Sequence, residues 1–283
     1  NYHFNFITTD NLWTTSDFDD FHYVFWRNDI DDDFTFMEVF YSPFFSALSA
    51  CVFFLISKTY GYSVRTSLIL VFLYCLSTTI WAYSQTSLNV VPFVFFILTG
   101  FFFYRKFRKT NHHFNLILTG IFFGIAFLTR NDAILLIAPL LIFLLITSVR
   151  INTKLRVFFA ISIPAISSYG IHKLIEYVRV GIPPEYADQI PTELNIPKQM
   201  AFSILHEPYL LHFFGILFSP GAGLFFYAPI LLSCLVGFFD FYKKHKSDFF
   251  LFISFITIFV LFYSTNVYWH GFNGWGTRYM LPI

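Results

Sequence analysis

The stretch GIAFLTRNDAILLIAPLLIFLL, residues 124–145, decides the fold class of this chain, because two apolar segments meet there at a short polar corner. The corner is the tetrapeptide Thr-Arg-Asn-Asp at 129–132, and the apolar segments run from about 114 to 129 and from about 132 to 149. Apolar segments of this length with almost no charge are typical of helices inside a bilayer. The stretch therefore predicts a tight pair of membrane helices.

The composition of the whole chain agrees with this interpretation. Of 283 residues, 56% are hydrophobic and only 12% are charged, and the mean hydropathy is +0.61. A soluble domain carries roughly 25% charged residues, so a soluble enzyme is excluded. A net charge of +1 gives no electrostatic basis for binding nucleic acid. Cys51, Cys75 and Cys234 all fall in apolar runs, and we expect them to be small core residues rather than disulfide partners or metal ligands.

Working outward from the corner, apolar segments predict an all-α integral membrane protein with about eight transmembrane helices. Gly120 and Gly124 have the GxxxG spacing that favours close packing between two of these helices. The predicted spans are 43–60, 66–83, 87–104, 114–129, 132–149, 156–175, 222–241 and 249–266.

The distribution of charge predicts which ends of these spans face the cytoplasm. Every second connection holds basic residues, and together these connections contain twelve of the 18 Lys and Arg residues. The positive-inside rule places them in the cytoplasm. The residues are Lys58, Arg65, Arg105, Lys106, Arg108, Lys109, Arg150, Lys154, Arg156, Lys243, Lys244 and Lys246.

Alternation of the spans then predicts five regions, with the chemistry on the extracytoplasmic side. An acidic and aromatic outer segment (1–42) precedes a six-helix region (43–175). An outer loop with a short interfacial helix (176–221) follows, then two more membrane helices (222–266) and an outer segment rich in Gly, Trp and Arg (267–283).

The first outer segment contains an acidic cluster that is a candidate for catalysis. Asp17, Asp19, Asp20 and further acids up to Glu38 alternate with aromatic residues. A carboxylate at the membrane surface can accept a proton from a hydroxyl, and several together can hold a divalent cation. The alternative is a solvated acidic loop without a chemical role, and the spacing matches no EF-hand.

Arg130 is the second candidate, because a guanidinium close to hydrocarbon needs a partner. An anionic lipid phosphate, bound in a bidentate manner, is one such partner. The alternative is an interfacial arginine that pairs with Asp132 or reaches the lipid headgroups.

The third candidate is the C-terminal sequence NVYWHGFNGWGTRYMLPI, residues 266–283. An aromatic belt explains Trp and Tyr at this depth, but it does not explain three glycines and an arginine within eight residues. We expect a binding wall for a sugar or a lipid. Its members are His270, Trp275, Gly276, Arg278 and Tyr279.

Four local patterns follow one another along the chain. The first two are SQTSLNVVPFVFFILTGFFFYRK at 84–106 and GIAFLTRNDAILLIAPLLIFLL at 124–145. The others are FSPGAGLFFYAPILL at 218–232 and WHGFNGWGTRYMLPI at 269–283. In this order they resemble the GT-C superfamily of integral-membrane glycosyltransferases, in particular the protein O-mannosyltransferases and the lipid A aminoarabinose transferases, and the resemblance covers about residues 40–283.

The resemblance implies a mechanism and its partners. A polyprenyl-phosphate sugar is the donor, a hydroxyl on a protein, lipid or glycan is the acceptor, and the sugar is transferred with inversion at the extracytoplasmic face. An aspartate of the first outer loop acts as the general base, and arginines stabilise the leaving lipid phosphate. On this sequence the resemblance assigns the base to Asp19 or Asp20 and the phosphate contacts to Arg278 and Arg130.

The sequence departs from the family pattern in two places, which leaves a second hypothesis open. The family's first membrane helix is not seen here, so the chain is expected to be a fragment; a base before Asn1 stays open as an alternative to Asp19 and Asp20, with Asp31 to Asp33 as the next candidates. The segment VFYSPFFSALS at 39–49 lacks the family's lysine. The alternative is a non-catalytic, Phe-rich membrane subunit of a larger complex. A transporter is less favoured, because no inverted repeat is apparent.

Overall fold

The computed structural model describes residues 32–85, 89–147, 151–180, 209–221, 223–265 and 280. Helices make up 89% of the structure, and no strand occurs among these residues. Eleven α-helices and two short 3-10 helices, Asn131–Ala133 and Pro229–Ser233, are described. The α-helices are α1 (Asp32–Thr59), α2 (Val64–Leu76), α3 (Ile80–Tyr83), α4 (Val90–Thr110), α5 (His113–Thr129), α6 (Ile134–Thr147), α7 (Ile151–Val180), α8 (Tyr209–Phe218), α9 (Leu224–Tyr227), α10 (Cys234–Lys244) and α11 (Lys246–Ser264).

The helices confirm the predicted all-α membrane protein. Four of them are long and apolar enough to cross a bilayer, within Phe40–Thr59, Val90–Thr110, Asn152–Ile175 and Lys246–Ser264. Shorter apolar helices lie at Val64–Leu76, His113–Thr129 and Asn131–Thr147. The chain is therefore an integral membrane protein, and the count of eight spans stays a prediction.

Several predicted boundaries differ from the observed helices. The first helix begins at Asp32 instead of residue 43 and continues through Pro43, which a membrane helix tolerates. The predicted span 66–83 ends early, because α2 stops at Leu76 and α3 is separate.

The predicted span 222–241 is not one continuous helix. It is divided into α9, a 3-10 turn and α10, with a break at Ala228 (φ −134°, ψ 65°) directly before Pro229. Proline disfavours the helical conformation in the residue that precedes it, which accounts for this break.

The chain divides into two compact units, residues Asn1–Tyr41 and Ser42–Ile283. The packing described below is that within the second unit. Its core is formed by aromatic and aliphatic side chains of α4, α5, α6, α7 and α11. Fully buried examples are Phe93, Tyr104, Phe123, Leu136, Leu140, Ile161 and Phe259.

Two glycines let α5 approach α7 closely, as the GxxxG spacing predicts. A Cβ added to Gly120 would lie 1.8 Å from the carbonyl oxygen of Ala160, and one added to Gly124 would lie 3.0 Å from that of Pro164. Backbone meets backbone along this interface, so the helix that leads into the corner at 129–132 is held firmly.

The cysteines do not lie where the sequence analysis expected them. All three are free thiols, but Cys51 and Cys234 are exposed on the helix surfaces and Cys75 is half-buried. An apolar run in a membrane protein has a side that faces lipid as well as a side that faces the core, so an apolar neighbourhood does not predict burial.

Candidate active-site corner

The corner between α5 and α6 is built by a change of backbone conformation at Arg130. The helix ends at Thr129, Arg130 is extended (φ −153°, ψ 130°), and the 3-10 turn Asn131–Ala133 leads into α6. The N–H group of Arg130 still donates to the carbonyl of Ala126, at 2.9 Å. The extended residue therefore turns the chain without leaving its own amide unsatisfied.

The guanidinium of Arg130 forms a bidentate ion pair with the carboxylate of Asp132. Its Nη2 donates to Oδ2 at 2.7 Å, and its Nε donates to Oδ1 at 3.0 Å. The side chains of Arg130 and Asp132 are only 14% and 9% exposed. Bidentate pairs of this kind combine charge with fixed geometry, so the orientation of the guanidinium is set by the carboxylate.

The pair also keeps Arg130 charged. Burial lowers the pKa of its guanidinium, but the hydrogen bonds and the negative charge of Asp132 outweigh burial, and the pKa is raised above its ordinary value. A permanent positive charge therefore stands at this end of the helices.

Two other helices contribute to the corner. Tyr263, near the end of α11, donates its hydroxyl to Oδ2 of Asp132. The guanidinium carbon of Arg130 lies 5.7 Å from the ring centroid of Phe93 on α4, within the range of a cation–π interaction. The side-chain amide of Asn89, directly before α4, donates to the carbonyl of Thr129 at 3.0 Å.

Two histidines lie at the same end of the structure. The Nε2 atom of His172 on α7 lies 3.4 Å from the side-chain nitrogen Nδ2 of Asn131. His212 on α8 places its Nδ1 3.1 Å from the carbonyl oxygen of Ser264, the residue that follows Tyr263. The corner thus lies beside polar side chains of three other helices, α7, α8 and α11.

A second polar cluster lies where the sequence analysis expected the cytoplasmic turns. Asp248, in the first turn of α11, forms an ion pair with Arg105 and accepts hydrogen bonds from the hydroxyls of Tyr60 and Tyr104, each at 3.2 Å. The side chain of Asp248 is 4% exposed. Arg105 also lies over the ring of Tyr60, with its guanidinium carbon 4.0 Å from the centroid.

This cluster accounts for Arg105, which the sequence analysis had treated only as a marker of membrane orientation. Burial and the negative charge of Asp248 together raise the pKa of Tyr60, so its hydroxyl stays protonated and donates to the carboxylate. Arg105 and Asp248 lie 143 residues apart in sequence, and no local pattern predicts their pairing.

Only one of the predicted site residues is placed by the structure. Arg130 lies at the corner and contacts Asp132, the partner expected in the alternative interpretation of an interfacial arginine. The other predicted residues lie outside the described residues; they are Asp19, Asp20, His270, Trp275, Gly276, Arg278 and Tyr279. Within the described part of the chain, no three His, Cys, Asp or Glu side chains are grouped so as to hold a metal ion.

Sequence reasoning missed Asn89, Phe93 and Tyr263. A signal for Tyr263 was present, because an apolar segment that ends in Tyr-Ser-Thr-Asn, residues 263–266, carries a cluster of polar groups at its C-terminal end. The partner of this tyrosine is 131 residues away, so only the folded chain identifies it.

Comparison with known proteins identifies the family of this corner. The family model described as dolichyl-phosphate-mannose-protein mannosyltransferase matches residues 25–172, slightly more than half of the chain. The chain belongs to this family. Among curated proteins and solved structures, no significant match was found.

Membership in the mannosyltransferase family confirms the resemblance to GT-C enzymes and shows a membrane glycosyltransferase. The matched range includes α4, α5, α6 and both members of the Arg130–Asp132 pair. Tyr263 lies beyond the matched range. The corner is therefore shared between the part of the chain that the family model matches and a helix outside it.

Proposed function

We propose that this protein transfers a sugar from a polyprenyl-phosphate carrier to a hydroxyl group of an acceptor at the extracytoplasmic face of the membrane. The observation that carries the proposal is the buried guanidinium of Arg130, held by Asp132 at the end of two membrane helices. A fixed positive charge at that depth suits a lipid phosphate, whose charge grows as the sugar leaves.

The proposed reaction needs one base and one group that stabilises the leaving phosphate. The acceptor oxygen attacks the anomeric carbon from the face opposite the phosphate, and the bond between that carbon and the phosphate oxygen breaks. The electron pair goes to the phosphate, and the configuration of the sugar is inverted. We propose that Asp19 or Asp20 acts as the general base and accepts the proton of the acceptor hydroxyl.

The arginines have a distinct role in this scheme. Asp132 occupies the edge of the Arg130 guanidinium formed by Nε and Nη2. The proposal assigns the donor phosphate to Arg130 together with Arg278 from the C-terminal segment. His270, Trp275, Gly276 and Tyr279 are proposed to line the binding wall for the sugar or its lipid.

A transfer assay with the purified protein tests this function. Radiolabelled polyprenyl-phosphate mannose and acceptor peptides that contain Ser and Thr are supplied in lipid nanodiscs. We expect transfer by the wild type and a loss of about 100-fold in kcat/KM for Arg130→Ala and for Arg278→Ala, because each removes a charge that acts on the leaving phosphate. Arg65→Ala, at an exposed arginine in the first turn of α2, is the matched control and should keep full activity.

Three results would count against the proposal in different ways. Unchanged activity in both arginine variants would contradict the assignment of Arg130 and Arg278 as phosphate contacts. A wild type that transfers no sugar would contradict the proposed function. A wild type that is inactive alone and restores activity to an associated membrane protein would favour the alternative, a non-catalytic subunit, in which the Arg130–Asp132 pair is purely structural.

A further inference from the structure

We propose that Tyr263 is a positioning residue for donor binding, acting through Asp132 on the orientation of Arg130. This inference rests on the proposed function, since it concerns the phosphate-binding role of the same arginine. Tyr263 lies beyond the range that the family model matches, so the proposal assigns part of the donor site to α11.

The first step is the geometry of the chain of hydrogen bonds. Tyr263 donates to Oδ2 of Asp132, and that same oxygen accepts from Nη2 of Arg130 at 2.7 Å. One carboxylate oxygen is thus shared by the phenol and the guanidinium, and the phenol oxygen also accepts from the guanidinium itself, so Tyr263 acts on Arg130 both through Asp132 and directly. Because the carboxylate can rotate about its terminal bond, a fixed donor on Oδ2 limits the directions in which the guanidinium can point.

The second step is the way in which α11 is fixed. At its first turn Asp248 pairs with Arg105 of α4, and fifteen residues later Tyr263 contacts Asp132. At 1.5 Å per residue these contacts are about 22 Å apart, roughly three quarters of the thickness of a bilayer core. A helix that is tied to the rest of the structure at both ends holds the Tyr263 hydroxyl in a fixed place.

The third step concerns the adjacent helix α8. His212 lies 3.1 Å from the carbonyl of Ser264, measured from Nδ1 to the oxygen, so the end of α11 has a further contact directly beside Tyr263. Carbonyl groups in the last turn of a helix have no partner within that helix, and this contact supplies one. The end of α11 is therefore restrained at the residue directly after Tyr263.

Binding of a polyprenyl phosphate without sugar, measured in nanodiscs, tests the role of Tyr263. We expect Tyr263→Phe to raise the Kd for this lipid and the donor KM about tenfold while kcat changes less than twofold, because the arginine keeps its charge but loses its preset orientation. Arg130→Ala should raise the same Kd more than Tyr263→Phe does.

The double variant separates positioning from direct contact. If Tyr263 acts through Arg130, then Tyr263→Phe in the Arg130→Ala background should change the Kd less than twofold. A double variant whose Kd rises by the product of the two single effects would overturn the inference. An unchanged Kd in Tyr263→Phe alone would also overturn it.

A matched control is present at the other end of α11. Tyr104 also donates its hydroxyl to a buried carboxylate, that of Asp248, so Tyr104→Phe removes the same atom from a similar contact. This variant should leave the Kd for polyprenyl phosphate within twofold of the wild type. An equal rise in Kd for Tyr104→Phe and Tyr263→Phe would show a general loss of structure and would overturn the inference.

A second variant replaces Tyr263→Phe if that variant does not fold, and two further outcomes distinguish this inference from the proposed function. Should Tyr263→Phe not fold, Asp132→Asn keeps the shape of the link and removes its charge, and it should show the same non-additivity with Arg130→Ala. A wild type that neither binds polyprenyl phosphate nor transfers sugar overturns the proposed function and this inference together. An active wild type with additive variants overturns the inference alone.

Discussion

Gly120 has the closest backbone approach at the α5–α7 interface, and replacing it by alanine should destabilise the protein strongly. The new Cβ would lie 1.8 Å from the carbonyl oxygen of Ala160, whereas ordinary van der Waals contact begins at 3.4 Å. The obstacle is backbone that cannot rotate away, so the helices would have to separate by about 1.6 Å, and adding a methyl group to a close-packed interface costs roughly 1–3 kcal/mol. We expect the upper end of that range, about 3 kcal/mol, for Gly120→Ala.

The same interface and the same helices supply graded controls. At Gly124 the nearest atoms are the carbonyl oxygen of Pro164 and the hydroxyl of Ser168, both 3.0 Å from an added Cβ. A shift of a few tenths of an ångström relieves this contact, so Gly124→Ala should cost about 1 kcal/mol. Gly170 on α7 has nothing within 4 Å, and Gly170→Ala should stabilise the helix by up to about 1 kcal/mol.

Unfolding by SDS in mixed micelles, followed by the fluorescence of the five tryptophans, measures these free energies. The predicted order of stability is Gly170→Ala, then wild type, then Gly124→Ala, then Gly120→Ala. Equal losses at Gly120 and Gly124 would show that the close approach to Ala160 does not limit packing. A loss at Gly170 as large as that at Gly120 would show that the measurement reports on something other than this interface.

Three further predictions concern charge, orientation and metal. Asp248→Asn should lower the free energy of unfolding by about 3–5 kcal/mol, because it leaves Arg105 buried without a counter-charge. The exposed Asp240→Asn should change this free energy by less than about 0.5 kcal/mol, and equal losses in the two variants would contradict a stabilising role of the Asp248–Arg105 ion pair. In a background without the native cysteines, Asn131→Cys should react with a membrane-impermeant maleimide added to intact cells, whereas Asn111→Cys should react only after the cells are permeabilised. The reverse pattern would show that the predicted membrane orientation is inverted. If the acidic segment 17–38 holds a divalent cation, EDTA should abolish sugar transfer and Mg²⁺ or Mn²⁺ should restore it, whereas full activity in EDTA would exclude that role.

The sequence by itself determined the class of the protein and the position of its corner. The shortage of charge and the long apolar segments required a bilayer, and the GxxxG spacing on α5 predicted the tight packing that Gly120 makes. Arg130 was identified because a guanidinium next to apolar segments needs a partner, which is a local argument. Hydrophobicity, helix length and the need to neutralise charge act over a few turns of helix, so they can be read along the chain.

The tertiary structure decided what those groups contact. It showed that Arg130 is held by Asp132, that Tyr263 reaches this pair from the last helix, and that Asp248 joins Arg105 at the other end. It also showed that Pro229 follows a break in a segment that hydropathy treats as one span. Apart from the local Arg130–Asp132 pair, these features depend on residues more than a hundred positions apart or on the conformation of single residues. Hydropathy averages over both, and the folded chain brings the partners together because charge that is buried without a partner is too costly to keep.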